Sequence, residues 1–162
     1  MVLDVFVEGC KDSMNCRYSG FTKFRTEILR GWNEELGKLY EQRFSYLFDE
    51  NTDINYLRNC LLDVISNKPR MPTEIDLKIF KILNEYDRPY NEGMKIFTYH
   101  SDCDGEITPD ESKLVLEAFL RVDPEKFDKS DEDINDWYRE SYEIWKKMME
   151  YAIKNNKRII FG

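Results

Sequence analysis

The sequence predicts an α+β fold: one mainly helical domain over residues 1–162, with a small sheet formed by its terminal strands. Three observations predict it. Apolar residues recur at three- and four-residue steps along most of the chain, the period of helices with one buried face. Short β-branched runs stand at its two ends, at 2–7 and 158–161. The chain's 162 residues, 41% hydrophobic and 14% aromatic, suit one core of ordinary size and exclude disorder as the main state.

Val2-Leu3-Asp4-Val5-Phe6-Val7 reads as a strand that stops at Gly9, and the polar run from Gly9 to Arg17 reads as a loop. Ser19 is placed to N-cap a helix whose stripe is Phe21, Phe24, Ile28, Trp32, Leu36, Leu39 and Tyr40. Gly31 and Gly37 each weaken that helix by about 1 kcal/mol relative to Ala, so a kink or break is expected near Gly37. Phe44, Leu47 and Phe48 extend the pattern. Ile54, Leu57, Cys60, Leu61, Val64 and Ile65 form a second stripe, ended before Pro69 because the residue preceding a proline disfavours helix. Thr73 with Asp76 resembles a capping box ahead of a third helix carrying Ile75, Ile79, Ile82, Leu83 and Tyr86. Residues 88–93 read as a loop, and 94–99 as strand or helix, the strand option adding to the sheet. Pro109 opens a helix that runs to Leu120. Ser130 begins the longest helix, with Ile134, Trp137, Tyr138, Trp145, Met148, Met149 and Ala152 on one face, and Asn155-Asn156 stops it before the terminal strand.

The formal charge is −8, but it is not evenly spread. Residues 101–136 hold 13 acidic and 4 basic side chains, so the remaining 126 residues are nearly neutral. A solvated charged face and a cation site inside that segment are both compatible with this. A basic cluster, Lys11, Arg17, Lys23, Arg25 and Arg30, lies near the N-terminus and could hold an anion. The acidic balance argues against binding a DNA or RNA backbone. No apolar run reaches the roughly 20 residues of a membrane span, and Met1 to Gly9 lacks the basic start of a signal peptide. A cytoplasmic location follows as the expectation, with Cys10, Cys16, Cys60 and Cys103 as reduced thiols. They form no C-x-x-C pair, and a single His makes a zinc cage a poor fit.

The stretch from His100 to Glu111, HSDCDGEITPDE, carries the most information. It fits a 12-residue EF-hand loop with Asp102 at position 3, Asp104 at 5, Gly105 at the turn position 6, Glu106 at 7, Ile107 at 8 and Glu111 at 12. Asp102, Asp104, Glu106 and Glu111 are thus the candidate metal ligands, with calcium as the candidate cation. His100 stands at position 1, where a hard cation wants a carboxylate, and no second such loop is present. Three readings stay open: a structural turn that caps the next helix, a weak calcium site, and a site for a different ligand.

Two motifs carry a family resemblance. His100-Ser101-Asp102-Cys103-Asp104-Gly105-Glu106-Ile107 resembles the signature H-S-D-C-D-G-E-[IW], and Tyr18-Ser19-Gly20-Phe21-Thr22-Lys23-Phe24-Arg25 resembles Y-S-x-F-x-x-[FW]-R. Together they are similar to an uncharacterised family of small bacterial and bacteriophage proteins. The resemblance covers about 16 positions and implies a shape and a site, not a reaction; it makes His100 the rule at its position.

Pairing the motifs suggests a ligand site built from Arg17, Tyr18, Ser19, Arg25, His100, Asp102 and Asp104. A helix start favours an anion, guanidinium forks suit phosphate, and Tyr18 could stack on a base. Phe21 and Phe24 are assigned to the core, and Arg25 is equally a structural partner for Asp102 or Asp104. No phosphate loop, G-x-S-x-G elbow or H-E-x-x-H is present, so catalysis ranks below binding and no catalytic residue is assigned. The expectation is a non-enzymatic binding protein that sequesters a small phosphorylated ligand, such as a nucleotide immune signal. The resemblance's genomic setting makes it a phage or prophage anti-defence accessory in the cytoplasm of an infected cell. The alternatives are an EF-hand-like metal-binding domain and an acidic module for a basic protein partner.

Overall fold

The computed structural model describes residues 2–48, 74–100 and 105–162, with 44–48 described by their backbone. The stripe expected at 54–65 and the capping residue Thr73 lie outside the described residues. The architecture is α+β and mainly helical, with a four-stranded antiparallel sheet that uses both terminal strands.

β1 (Val2–Val7) occupies an inner position in the sheet. It alternates strictly: Leu3, Val5 and Val7 are buried, while Val2, Asp4 and Phe6 face outward. The chain then turns back into β2 (Ser13–Arg17), which pairs with β1 from Val2↔Arg17 to Phe6↔Ser13. This corrects the loop expected over 9–17. Only Met14 of this edge strand is fully buried, so its polar residues carry little of the hydrophobic signal by which a strand is recognised.

α1 (Tyr18–Trp32) follows with no intervening residue. Ser19 is not its cap: the N-cap is Arg17, in extended geometry, and its side chain caps nothing. The break expected near Gly37 falls at Asn33, whose extended backbone ends α1 and whose Oδ1 accepts the Glu35 and Leu36 N–H groups to start α2 (Glu34–Phe48). Gly37 instead permits a close crossing, since a Cβ there would lie 2.8 Å from Arg30 Cα.

α3 (Glu74–Leu83) packs on α2, and α4 (Tyr90–Tyr99) resolves the ambiguous 94–99 segment as helix. The sheet takes its remaining strand from β3 (Gly105–Ile107) instead. α5 (Pro109–Phe119) has Pro109 in its first turn, as expected, and a full capping box between Thr108 and Glu111. A short 3₁₀ turn (Pro124–Lys126) leads to α6 (Glu132–Asn155), which is N-capped by Asp131 and so starts two residues beyond the expected Ser130. Asn156, in the left-handed region at φ 50°, ends α6 and turns the chain into β4 (Ile159–Phe161). The strand order is β2-β1-β4-β3.

The core sits between the inner face of the sheet and α1, α4, α5 and α6. Trp145 lies at its centre, fully buried, with ring centroids of Phe21, Phe97, Phe119 and Phe161 5.2–6.2 Å away. Its indole N–H donates to Met14 Sδ at 3.1 Å, tying α6 to the edge strand. Phe21 and Phe24 are fully buried, as expected of a helical aromatic stripe.

Candidate functional site

The two motifs meet at Arg25. Arg25 is 4% exposed and sends its Nη2–H to the main-chain oxygen of His100 at 2.6 Å. Its guanidinium carbon lies 4.4 Å from the Phe21 ring centroid and 5.8 Å from that of Phe97. Its Nε–H has no hydrogen-bond partner among the described residues. So Arg25 is a brace between α1 and the end of α4, enclosed by aromatic rings, and its fork is not presented to solvent.

His100 is half-buried and stacks on Phe161, 4.4 Å between centroids. Its Nε2 lies 3.1 Å from the Glu106 carbonyl. A carbonyl only accepts, so Nε2 carries the proton in this contact. Asp102 and Asp104 lie outside the described residues.

Around this loop the EF-hand resemblance acquires geometry. α4 enters, Gly105 at position 6 has φ +110°, and Ile107 at position 8 pairs with Ile159. In a paired EF-hand that ladder belongs to a second loop; here β4 supplies it. The Glu106 carbonyl, which would face a cation from position 7, faces the imidazole N–H. The Glu106 carboxylate pairs with Arg158, the residue before β4. Glu111 uses its carboxylate to accept the Thr108 N–H at 3.1 Å, while its own N–H donates to Thr108 Oγ1 at 3.2 Å. Both described metal candidates therefore have protein partners, and no cluster of three or more ligating side chains occurs among the described residues.

Arg17 and Ser19 are exposed and Tyr18 is half-buried, at the start of α1. They stand at the opposite edge of the sheet from the start of β3. Arg17 ends β2 and Gly105 begins β3, the two edges of the sheet, with β1 and β4 between them. At about 4.8 Å per strand the edges are roughly 14 Å apart. The amino end of α1 has no side-chain cap and no acidic residue in its first turn.

A second region was missed by the sequence reading. Glu27, on the stripe side of α1, is 4% exposed. It accepts from Arg30 at 2.6 Å and from the Asp128 N–H at 2.8 Å. Burial raises its carboxyl above the ordinary range; the Asp128 bond and Arg30 oppose that shift without cancelling it. Asp128 is shifted the other way, chiefly by the hydrogen bond it accepts from the Ser130 N–H. The only signal in the sequence was Glu27 standing beside Ile28 in an apolar stripe.

No family model matches the chain, and no curated protein or solved structure shows significant similarity to it. No helix among the described residues is long and apolar enough to cross a membrane.

Proposed function

We propose that the protein is a non-enzymatic binding protein that holds a small phosphorylated ligand, such as a nucleotide, at the amino end of α1. The observation that carries this reading is the uncapped first turn of α1, beside the exposed Arg17. Such an end attracts an anion through its N–H groups and its dipole, and a guanidinium adds a charge-assisted bond. Tyr18 is half-buried at the same end and would flank a base. Arg25 has no part in this site, because His100 and Phe21 already engage it. In the setting that the two-motif resemblance implies, the ligand is a nucleotide immune signal and its capture blunts bacterial defence.

The test is a thermal-shift screen of cyclic and linear nucleotides, followed by calorimetry. The expected result is that Arg17→Ala weakens a bound nucleotide by about 1.5–3 kcal/mol without altering the melting temperature of the free protein. No shift with any nucleotide removes the reading.

A second reading, calcium binding by the α4–α5 hand, is favoured by the positive φ of Gly105 and the Ile107–Ile159 ladder. It requires Glu111 to leave its capping box. On this reading His100→Asp, which restores a carboxylate at position 1, gives a calcium-dependent rise in melting temperature that Glu111→Ala abolishes. A flat response at millimolar calcium in parent and variant leaves the loop as a structural turn.

A further inference from the structure

Part of the acidity of residues 101–136 gathers against the middle of α1 and not in the loop at 100–111. A cavity of about 430 Å3 opens between α1, α2 and the turn entering α6. Glu27, Glu41, Asp128 and Asp131 line it, against the two cations Lys23 and Arg30. Arg30 lies 2.6 Å from Glu27 and 3.0 Å from Glu41, so its guanidinium is already held between carboxylates. An anion entering here would meet an excess of negative charge.

The wall of the cavity holds a tyrosine hydroxyl that bonds to no other described residue. Tyr138 is 5% exposed and lines it. The hydroxyls of Tyr99 and Tyr142 bond to Asp76 and to the Phe119 carbonyl. That of Tyr138 has no hydrogen-bond partner among the described residues. Burial first, and then the nearby Glu27 and Asp128 carboxylates, push its pKa up to about 12. A ligand in the cavity that supplies a partner to this hydroxyl gains a hydrogen bond there.

Ile134 adds an apolar surface to the cavity. Among the described residues it is one of the few large apolar side chains left exposed, at 44%, and it stands on the same lining. The carboxylates are also too dispersed to converge on one metal ion: no group of three or more ligating side chains occurs among the described residues. Dispersed negative charge, one hydroxyl and one apolar surface suit an extended organic cation better than a metal or a phosphate.

We propose that this cavity binds a small organic amine in its ammonium form. The ammonium sits among Asp128, Asp131 and Glu41 and donates one N–H to the Tyr138 hydroxyl, while the apolar stem lies on Ile134. Asp131 retains a free oxygen for this, because only its Oδ1 accepts the Ile134 N–H of the helix cap. The site is separate from the phosphate site proposed at the start of α1, and either can fail without the other.

Calorimetry on the full chain with putrescine, agmatine and phenylethylamine tests the proposal, with inorganic phosphate and calcium as comparators. At least one amine should bind with a stoichiometry of about one and a Kd under about 1 mM. Tyr138→Phe keeps the ring and removes the hydroxyl. Asp131→Asn keeps a good helix cap and removes the charge. Each should weaken binding by about fivefold or more, as expected for losing one buried polar contact. Glu117→Gln, an exposed change on α5, should leave the Kd within about twofold, since it alters only distant screened charge. If either cavity variant melts well below the parent, Glu41→Gln on the exposed rim carries the same test. No amine binding, equal weakening by Glu117→Gln, or tighter binding of phosphate or calcium at this cavity would overturn the proposal.

Discussion

Replacing Arg25 by alanine separates a structural brace from a ligand contact. The change removes a charged donor from the His100 carbonyl, about 1.5–3 kcal/mol, and a guanidinium held over Phe21, about 0.5–2 kcal/mol. Against these stands relief from burying an Nε–H that has no partner among the described residues, about 1–3 kcal/mol. With the lost packing of the side-chain stem, the expected net loss is about 2–3 kcal/mol. For a chain of this size that is roughly 4–12 °C in melting temperature. Arg25→Lys keeps the charge but not the flat face that lies on Phe21, so it should fall between parent and alanine. The partner atom is main-chain, so His100→Ala leaves the brace in place and should not reproduce the loss through it. Thermal and urea unfolding of the free protein read the effect. An Arg25→Ala melting temperature within about 1 °C of the parent would refute the brace.

Gly93→Ala should be among the most damaging single changes. Its Cβ would lie 1.9 Å from the Leu114 carbonyl oxygen, so α4 and α5 must separate, at about 3 kcal/mol or more by urea unfolding. Thr108→Ala removes the α5 cap and should cost about 1 kcal/mol, read as a lower melting temperature with unchanged far-UV circular dichroism at 20 °C or below. The pH dependence of Glu27 has a definite sign. Its carboxyl is raised in the folded protein, so the stability it contributes is full below the unfolded-state value and declines as pH rises through the folded one. Glu27→Gln removes that decline, and the melting temperature of the variant minus that of the parent should rise between pH 4 and pH 7. A constant difference would show that Glu27 is not perturbed by its burial.

Much of the helical framework was legible because one-sided burial at a 3.6-residue period leaves a strong pattern. The α1 stripe, the Pro109 start of α5 and the long face of α6 are all of this kind. β2 was missed for the opposite reason: an edge strand with one fully buried side chain has almost no pattern to read. The helix break was assigned to Gly37 on propensity, but Asn33 provides it, by capping the next helix with its own side chain. Segment 94–99 was ambiguous because six residues fit either period, and contact with α5 decides it. For the site, the pairing of the two motifs was legible and its chemistry was not. Arg25 meets a main-chain oxygen, and no residue type at position 100 would have announced that. The cavity beside Glu27 joins residues about a hundred positions apart, so only the folded chain reveals it.

β4 has three residues, yet it is the keystone of the sheet. β1 bonds to one side of it and β3 to the other, and Gly162 adds a reciprocal pair with Asp4. The β1–β2 hairpin can close locally, and the helices can form on their own contacts, but the two halves of the sheet are joined only through a segment that lies nearly the whole sequence away from β1. Loop closure over such a distance makes this the slow step of assembly. Until it is made, β1 and β3 each carry an open ladder edge, the kind of surface on which chains pair with one another. The protein is therefore most exposed to aggregation late in folding, when its helices are formed and three residues are still missing from the middle of its sheet.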